Sequence, residues 1–165
     1  DNAPFIIDHR YDLDFNLACN ITKEDYERTF ISLLTESLAD DDTLFLSEKI
    51  WKPIMVGHPF IVYGNQYTLR HLKTMGYQTF DRWIDESYDD EPERGRRSKK
   101  VAEQIKRFEN YSVEQLTDLR NEMRGVCEHN QNHYIKLYNQ KYNEGINLDL
   151  EKIIRDIWEE LIRWM

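Results

Sequence analysis

Residues 43–53 read Thr-Leu-Phe-Leu-Ser-Glu-Lys-Ile-Trp-Lys-Pro, and this stretch carries the clearest fold information in the chain. The apolar run Thr43–Leu46 is typical of a buried strand, and Ser47 is a preferred residue type at a helix N-cap. The pattern predicts a helix over 48–56 that Pro53 kinks or shortens. A strand that runs directly into a capped helix indicates a βα unit of an α/β fold.

Further elements are predicted on both sides of this unit. Phe30–Leu34 and Phe60–Tyr63 are apolar runs of strand length, and Phe5–Ile7 is a shorter strand candidate. A helix over 68–75 should end at Gly76, since glycine favours the conformation that closes a helix. Strands that alternate with helices predict βαβ units and a small, mainly parallel sheet.

We expect a single α/β domain over 1–165, in which the alternating portion spans 1–84. The charged stretch 85–97 is predicted to be a loop, because an acidic run is followed directly by a basic one. The remainder, 98–165, shows helical periodicity, including the capping box Ser112-Val113-Glu114-Gln115 ahead of a long amphipathic helix.

Composition excludes several classes of protein. The 165 residues include 22 Lys and Arg against 31 Asp and Glu, a formal charge of −9, which argues against nucleic-acid binding. Apolar runs fall short of the ~20 residues that a membrane span needs. Cys19 and Cys127 are far apart and no signal-peptide pattern is visible in the sequence, so we expect free thiols, with a disulfide as the alternative, and a cytoplasmic location. Because the chain starts at Asp1, without Met, we expect a processed chain or a piece of a longer one.

The residues Ser47, Glu48 and Lys49 are the leading candidates for chemistry. In an open α/β sheet, ligands bind beyond the carboxyl ends of the strands, and a helix N-terminus there attracts anions. Lysine is unfavourable in a first helical turn, so Lys49 indicates a nearby anion. Glu48 offers acceptors for sugar hydroxyls, and the pair predicts a nucleotide-sugar site. The alternative is an ordinary helix cap followed by solvated charges.

Three segments, Thr35-Glu36-Ser37, Phe45–Trp51 and Pro59–Gly64, resemble the donor-binding half of the α-1,3-fucosyltransferases. The resemblance implies a GT-B architecture, in which this chain corresponds to the half that binds a guanosine diphosphate sugar. It also implies that Lys49 holds the diphosphate, that Glu48 lies near the donor sugar and that Glu36 contacts the donor. The predicted substrate-binding residues are therefore Glu36, Ser47, Glu48, Lys49, His58 and Gly64.

Further implications concern the donor and the reaction. Thr35-Glu36 stands where the family has Glu-Asn, which leaves a GDP- or a UDP-sugar open as the donor. The acceptor would be a glycan or another hydroxyl compound. The family's catalytic base lies in the other half, so no catalytic residue is assigned and little sugar transfer by this chain alone is expected. GT-B enzymes commonly lack a catalytic metal, and no cofactor is expected. Thr79–Asp89 resembles uncharacterised proteins of marine bacteria and their phages.

Three other groups of residues admit two interpretations each. His58 could contact a phosphate or act as a base, or it could fill a turn. The acidic stretch 85–93 could bind a divalent cation, or pair with the basic run Arg94–Lys100. His129 and His133 lie four residues apart on the predicted long helix and could bind zinc, although exposed polar side chains explain them equally well.

The alternative function is a non-catalytic α/β module for protein–protein interaction. A predicted C-terminal helix carries an apolar stripe that could pack on its own domain or form a homodimer, made of Ile153, Ile154, Ile157, Trp158, Leu161 and Ile162.

Overall fold

The structure, a computed structural model, describes residues 23–37, 39 and 44–142. Its elements in chain order are α1 (Lys23–Glu27), β1 (Ser32–Thr35), α2 (Glu48–Met55), β2 (Phe60–Tyr63), α3 (Thr68–Thr74), a 3₁₀ helix (Glu86–Asp90), α4 (Arg94–Lys106) and α5 (Val113–Tyr142). The predicted strand at 5–7 and the apolar C-terminal stripe fall outside these residues, as does Cys19.

The described sheet has two parallel strands, β1 and β2, joined through α2. Their register pairs Ser32 with Phe60 and Thr35 with Tyr63. Strand β2 is mostly buried, whereas β1 alternates and leaves Leu33 exposed. The predicted small α/β fold with a parallel sheet is therefore confirmed, with strands close to the expected positions.

The predicted strand Thr43–Leu46 was wrong over its described residues, because 44–47 have no strand conformation. Phe45 is partly exposed, and its backbone N–H donates to Oδ1 of Asn65 at 3.1 Å instead of to a neighbouring strand. A hydrophobic pattern does not show whether a strand partner is present. Here the side-chain amide of Asn65 accepts the hydrogen bond that a neighbouring strand would accept.

Helix α2 begins and ends close to the prediction. Ser47 is its N-cap, with the extended backbone of a cap residue, and Ser47 Oγ accepts a hydrogen bond from the Lys49 amide at 3.3 Å. Ile50 and Ile54 are four residues apart and fully buried, which fixes the inward face of the helix. The helix ends at Met55, shortly after the internal Pro53, as that proline predicts.

The core lies between the strand pair and helices α2, α3, α4 and α5. Phe60 and Phe80 meet edge to face at its centre, with ring centroids 5.2 Å apart. Cys127 of α5 is a buried free thiol, and burial raises its pKa to about 12.

The stretch 85–97 was expected to be a charged loop, but the structure has helices there. Asp89, in the 3₁₀ helix, accepts hydrogen bonds from the backbone amides of Leu69 and Arg70 in the first turn of α3. Glu93 accepts from the amides of Gly95 and Arg96 and caps α4. The acidic run thus supplies N-terminal caps to two helices, a use that composition does not distinguish from a solvated loop.

The long helix α5 follows the predicted capping box. Ser112 Oγ accepts from the Gln115 amide at 3.3 Å, and Gln115 Oε1 accepts from the Ser112 amide at 2.8 Å. Its one deeply buried apolar side chain besides Cys127 is Met123. Within the described part of the chain, no helix combines the length and the apolar character that crossing a bilayer requires.

Candidate functional site at the carboxyl edge of the strand pair

Because β1 and β2 are parallel, their carboxyl ends meet at one edge of the sheet. Glu36 directly follows β1, Gly64 directly follows β2, and the N-terminus of α2 is tied to the same edge through a bond between Ser47 and Glu36. Four of the six predicted site residues, Glu36, Ser47, Lys49 and Gly64, are thus brought to one edge of the molecule, and Glu48 opens α2 as its first residue there.

Glu36, Ser47 and Lys49 form one hydrogen-bonded cluster. The carboxylate of Glu36 is buried and accepts from both the backbone N–H and the hydroxyl of Ser47, at 3.0 and 2.5 Å. Lys49 Nζ lies 3.3 Å from Ser47 Oγ and 3.4 Å from Ser37 Oγ. The cluster therefore places a cation, a helix N-terminus and a buried carboxylate within reach of one another.

Gly64 serves the packing of α3. A Cβ at this position would lie 2.7 Å from Thr68 Oγ1, closer than side-chain atoms normally approach. The Thr68 hydroxyl is held by the Asn65 carbonyl at 2.8 Å, so it has little freedom to move away. The glycine lets α3 start immediately beyond the strand.

His58 lies at the opposite edge of the sheet, just before β2 begins, and is not part of this cluster. Its Nδ1 is 3.1 Å from Ser32 Oγ, and its Nε2 is 3.0 Å from the Thr29 carbonyl oxygen. Burial lowers the pKa of His58, and the charge of Arg120 lowers it further. The interpretation of His58 as a residue that fills a turn fits these contacts, because a strand length separates it from the carboxyl edge.

An open cleft of about 870 Å³ lies at the carboxyl edge, and no pattern in the sequence predicted it. We call it the arginine cleft; its described lining residues are Ala39, Leu44, Asn65, Gln66, Tyr67, Arg70, His71, Thr74, Pro92, Arg94 and Arg97. Among these described lining residues, three are arginines and none is acidic. The cleft is therefore suited to a polar, negatively charged ligand.

The basic run divides between two faces of α4. Arg96 and Lys100 lie one turn apart and both pair with Glu91, at 3.2 and 3.1 Å. Arg94 and Arg97, three residues apart, line the cleft instead. The predicted pairing of the acidic and basic runs therefore describes one face of the helix, while the other face supplies the wall of a cavity.

Arg97 is the most unusual side chain in the cleft wall, since it is a charged residue with only 4% of its surface exposed. Its guanidinium donates to the backbone carbonyls of Glu91 and Ala39, both at 2.8 Å, and lies 5.8 Å from the centre of the Tyr63 ring. Its Nε is buried and has no hydrogen-bond partner among the described residues.

Tyr67 adds a strained backbone to the cleft rim. Its φ of 69° lies in the left-handed region, and it is the only described residue other than glycine with a positive φ. The Arg70 guanidinium lies 4.2 Å from the centre of its ring and pairs with Asp90 at 2.7 Å. Strain of this kind costs free energy and is often found at functional sites.

The remaining metal candidates have protein partners. Nε2 of His129 lies 3.0 Å from the Gly76 carbonyl oxygen, and Nε2 of His133 lies 2.7 Å from that of Met75. Both nitrogens therefore carry a hydrogen and donate, which removes them as ligands in this arrangement. Among residues 23–37, 39 and 44–142, no group of three or more potential ligands forms a metal site.

No family model matches this chain, and neither a curated protein nor a solved structure matches it. Inferences about its function therefore depend on its own residues. The geometry gives a polar cluster with a lysine and a basic cleft, both at the carboxyl edge of a parallel strand pair.

Proposed function

We propose that this chain binds a nucleotide sugar, with GDP or UDP as the nucleotide, at the carboxyl edge of its strand pair. The observation that supports this most is the meeting of Glu36, Ser47 and Lys49 at the N-terminus of α2. A lysine at the positive end of a helix favours a diphosphate at that point. The finer fold proposed with it is a Rossmann-like GT-B half, as the resemblance to fucosyltransferases implies.

In the proposed reaction, an acceptor hydroxyl displaces the nucleoside diphosphate from the sugar. Lys49 would stabilise the charge that builds up on the departing diphosphate, and the buried Glu36 would hold Ser47 and the start of α2 in place. The acceptor site would belong to a second half, so we propose donor binding by this chain without substantial sugar transfer.

A second candidate function, a non-catalytic protein-interaction module, is favoured by one observation. Glu36 and Ser47 are buried and bind each other, so both have a structural role that needs no ligand. The two candidates differ in whether Lys49 contributes to binding of a diphosphate.

Isothermal titration calorimetry of the 165-residue chain with GDP, UDP and their sugar conjugates tests the proposal. Lys49→Ala should weaken binding at least tenfold, because an opposite charge next to a diphosphate contributes roughly 1.4 kcal/mol or more. Circular dichroism should show an unchanged fold, since Lys49 is only partly buried.

Lys106→Ala is the matched control, because it removes the same charge from an exposed position in the last turn of α4. It should bind like the wild type. Equal binding by wild type and Lys49→Ala, or no nucleotide binding at all, would contradict the proposed function and favour the interaction module.

A further inference from the structure

We propose that the arginine cleft is an anion site that takes the phosphate or diphosphate group of a small-molecule ligand, with Arg94 and Arg97 as its binding residues. This goes beyond the proposed function, because it assigns phosphate binding to residues other than Lys49. It also holds for a phosphorylated compound that carries no nucleotide.

The first observation behind the proposal is the burial of the Arg97 guanidinium. A guanidinium stays protonated at any physiological pH, so burial cannot neutralise it as it can a histidine. Placing a charge away from water is costly unless an opposite charge or a full set of hydrogen bonds compensates it. The described partners of Arg97 are neutral carbonyls and the Tyr63 ring, and its Nε has no described partner. Keeping this positive charge in the cleft wall therefore costs the folded state free energy.

The second observation is the set of polar and basic residues that line the cleft. Arg94 lies one helical turn before Arg97, is exposed, and donates from Nε to the Tyr63 hydroxyl at 3.3 Å. Both arginines therefore line the cleft from α4, and a guanidinium is a planar group suited to binding phosphate oxygens. Asn65 and Gln66 add side-chain amides to the same wall.

The third observation is the strained backbone of Tyr67 at the rim of the cleft. Tyr67 keeps a left-handed backbone that asparagine or glycine would adopt at lower cost. Its ring is stacked by Arg70, so the strained residue fixes the position of a third arginine of the cleft. Tyr67 and Arg97 both line the cleft, and strain retained in the same cleft as a buried cation without a charged partner among the described residues is expected of a binding site.

One other source of negative charge is near in the sequence. Asp40, Asp41 and Asp42 lie between the lining residues Ala39 and Leu44 and fall outside the described residues. The experiment therefore includes the triple variant Asp40→Asn, Asp41→Asn, Asp42→Asn, which removes these charges without large changes in side-chain size.

Calorimetry of the full chain with pyrophosphate, inorganic phosphate, GDP and UDP tests the site. We expect pyrophosphate to bind, and we expect Arg94→Gln and Arg97→Lys each to weaken it at least tenfold. Lys106→Gln is the control for charge and should bind like the wild type. Arg94 is exposed, so its variant keeps the test decisive if Arg97→Lys folds poorly.

The titrations distinguish a phosphate compound without a nucleotide from a nucleotide. If pyrophosphate binds through the arginines and neither GDP nor UDP binds more tightly, the site takes a phosphate compound without a nucleotide; the inference then stands and the proposed function falls. If Lys49→Ala abolishes nucleotide binding and both arginine variants retain it, the inference is overturned and the proposed function stands. Pyrophosphate binding by the triple aspartate variant alone would also overturn the inference, because the chain would then supply its own counter-charge.

Discussion

The amino and carboxyl edges of the strand pair each bury an ionisable side chain, and they treat it differently. At the amino edge, His58 is 2% exposed and both of its ring nitrogens have partners. At the carboxyl edge, Arg97 is 4% exposed, yet its Nε has no described partner and an open cleft of about 870 Å³ lies beside it. The first edge is packed and hydrogen-bonded, and the second is the anion site that we propose.

The difference follows from the chemistry of the two side chains. Burial lowers the pKa of His58, so the ring can give up its proton and become a neutral hydrogen-bonding group. Arginine has no such option at physiological pH. A buried histidine therefore needs only hydrogen-bond partners for its neutral ring, whereas a buried arginine needs an opposite charge or a full set of hydrogen bonds for its cation. Variants at the two edges should therefore differ in stability, in ligand binding and in pH dependence.

Replacing His58 with alanine should have the largest effect on stability. The change leaves the Ser32 hydroxyl and the Thr29 carbonyl without this partner and opens a cavity. Together these effects should lower the free energy of unfolding by about 3 kcal/mol, measured by urea denaturation. His129→Ala is the control, since that ring also bonds a carbonyl but is exposed, and it should cost less than about 1 kcal/mol. Equal losses of unfolding free energy in the two variants would show that the buried contacts of His58 do not hold the amino edge together.

Pyrophosphate should stabilise the protein through the carboxyl edge only. At roughly 100 times its dissociation constant, a ligand that binds only the folded state adds about 2.7 kcal/mol to the free energy of unfolding. We expect this gain in the wild type and in His58→Gln, and a much smaller gain in Arg94→Gln at the same concentration. Thermal or urea unfolding with and without pyrophosphate measures it. A gain that depends on His58 would contradict the separation of the two edges.

The pH dependence of stability should distinguish the histidine from the arginine. Because the folded pKa of His58 is lowered, the unfolded chain binds its proton first, and stability should fall as the pH decreases below about 6.5. The slope from one such group is at most about 1.4 kcal/mol per pH unit. Urea midpoints of wild type and His58→Gln between about pH 7.5 and about pH 5.5 should converge towards the acidic end, since glutamine cannot titrate.

The comparison with His58→Gln also controls for other titrating groups. Burial raises the pKa of Glu86 and of Asp89, and these shifts act in the opposite direction because the folded state then binds the extra protons. Both groups are present in both proteins, so their contributions cancel in the difference. A constant difference between the two proteins across this pH range would rule out His58 as the source.

What could be predicted from the sequence was mainly local. Ser47 as the cap of α2, the strand Phe60–Tyr63 and the capping box before α5 depend on neighbouring residues and were all confirmed. The strand expected at 43–46 failed because a strand needs a partner, and Asn65 provides a side chain instead. The hydrogen bonds between Glu36 and Ser47 were not predicted: the resemblance named Glu36 only as a donor contact, and the local pattern did not require it to meet Ser47.

The arginine cleft could not be predicted for a geometric reason. Successive residues of a helix point about 100° apart, so Arg96 faces Glu91 while its neighbour Arg97 faces the cleft. In the sequence both belong to one basic run beside one acidic run, and overall charge balance conceals the difference. Spacing within the run does not resolve the two faces, because Arg97 is three residues from both Arg94 and Lys100.

The smallest predicted effect concerns the strained rim of the cleft. Tyr67→Asn should relieve about 1 kcal/mol of backbone strain and lose about 0.5 kcal/mol of contact with Arg70, for a net gain of about 0.5 kcal/mol in stability. The same change should weaken pyrophosphate binding, because Arg70 loses the ring that positions it. Tyr111→Asn is the control: this tyrosine is similarly exposed, at 45% against 41%, but has no positive φ, and should give no gain. Differential scanning fluorimetry with and without pyrophosphate measures both effects. If Tyr67→Asn gained stability and bound pyrophosphate as well as the wild type, the strain would serve the fold of α3 and not the cleft.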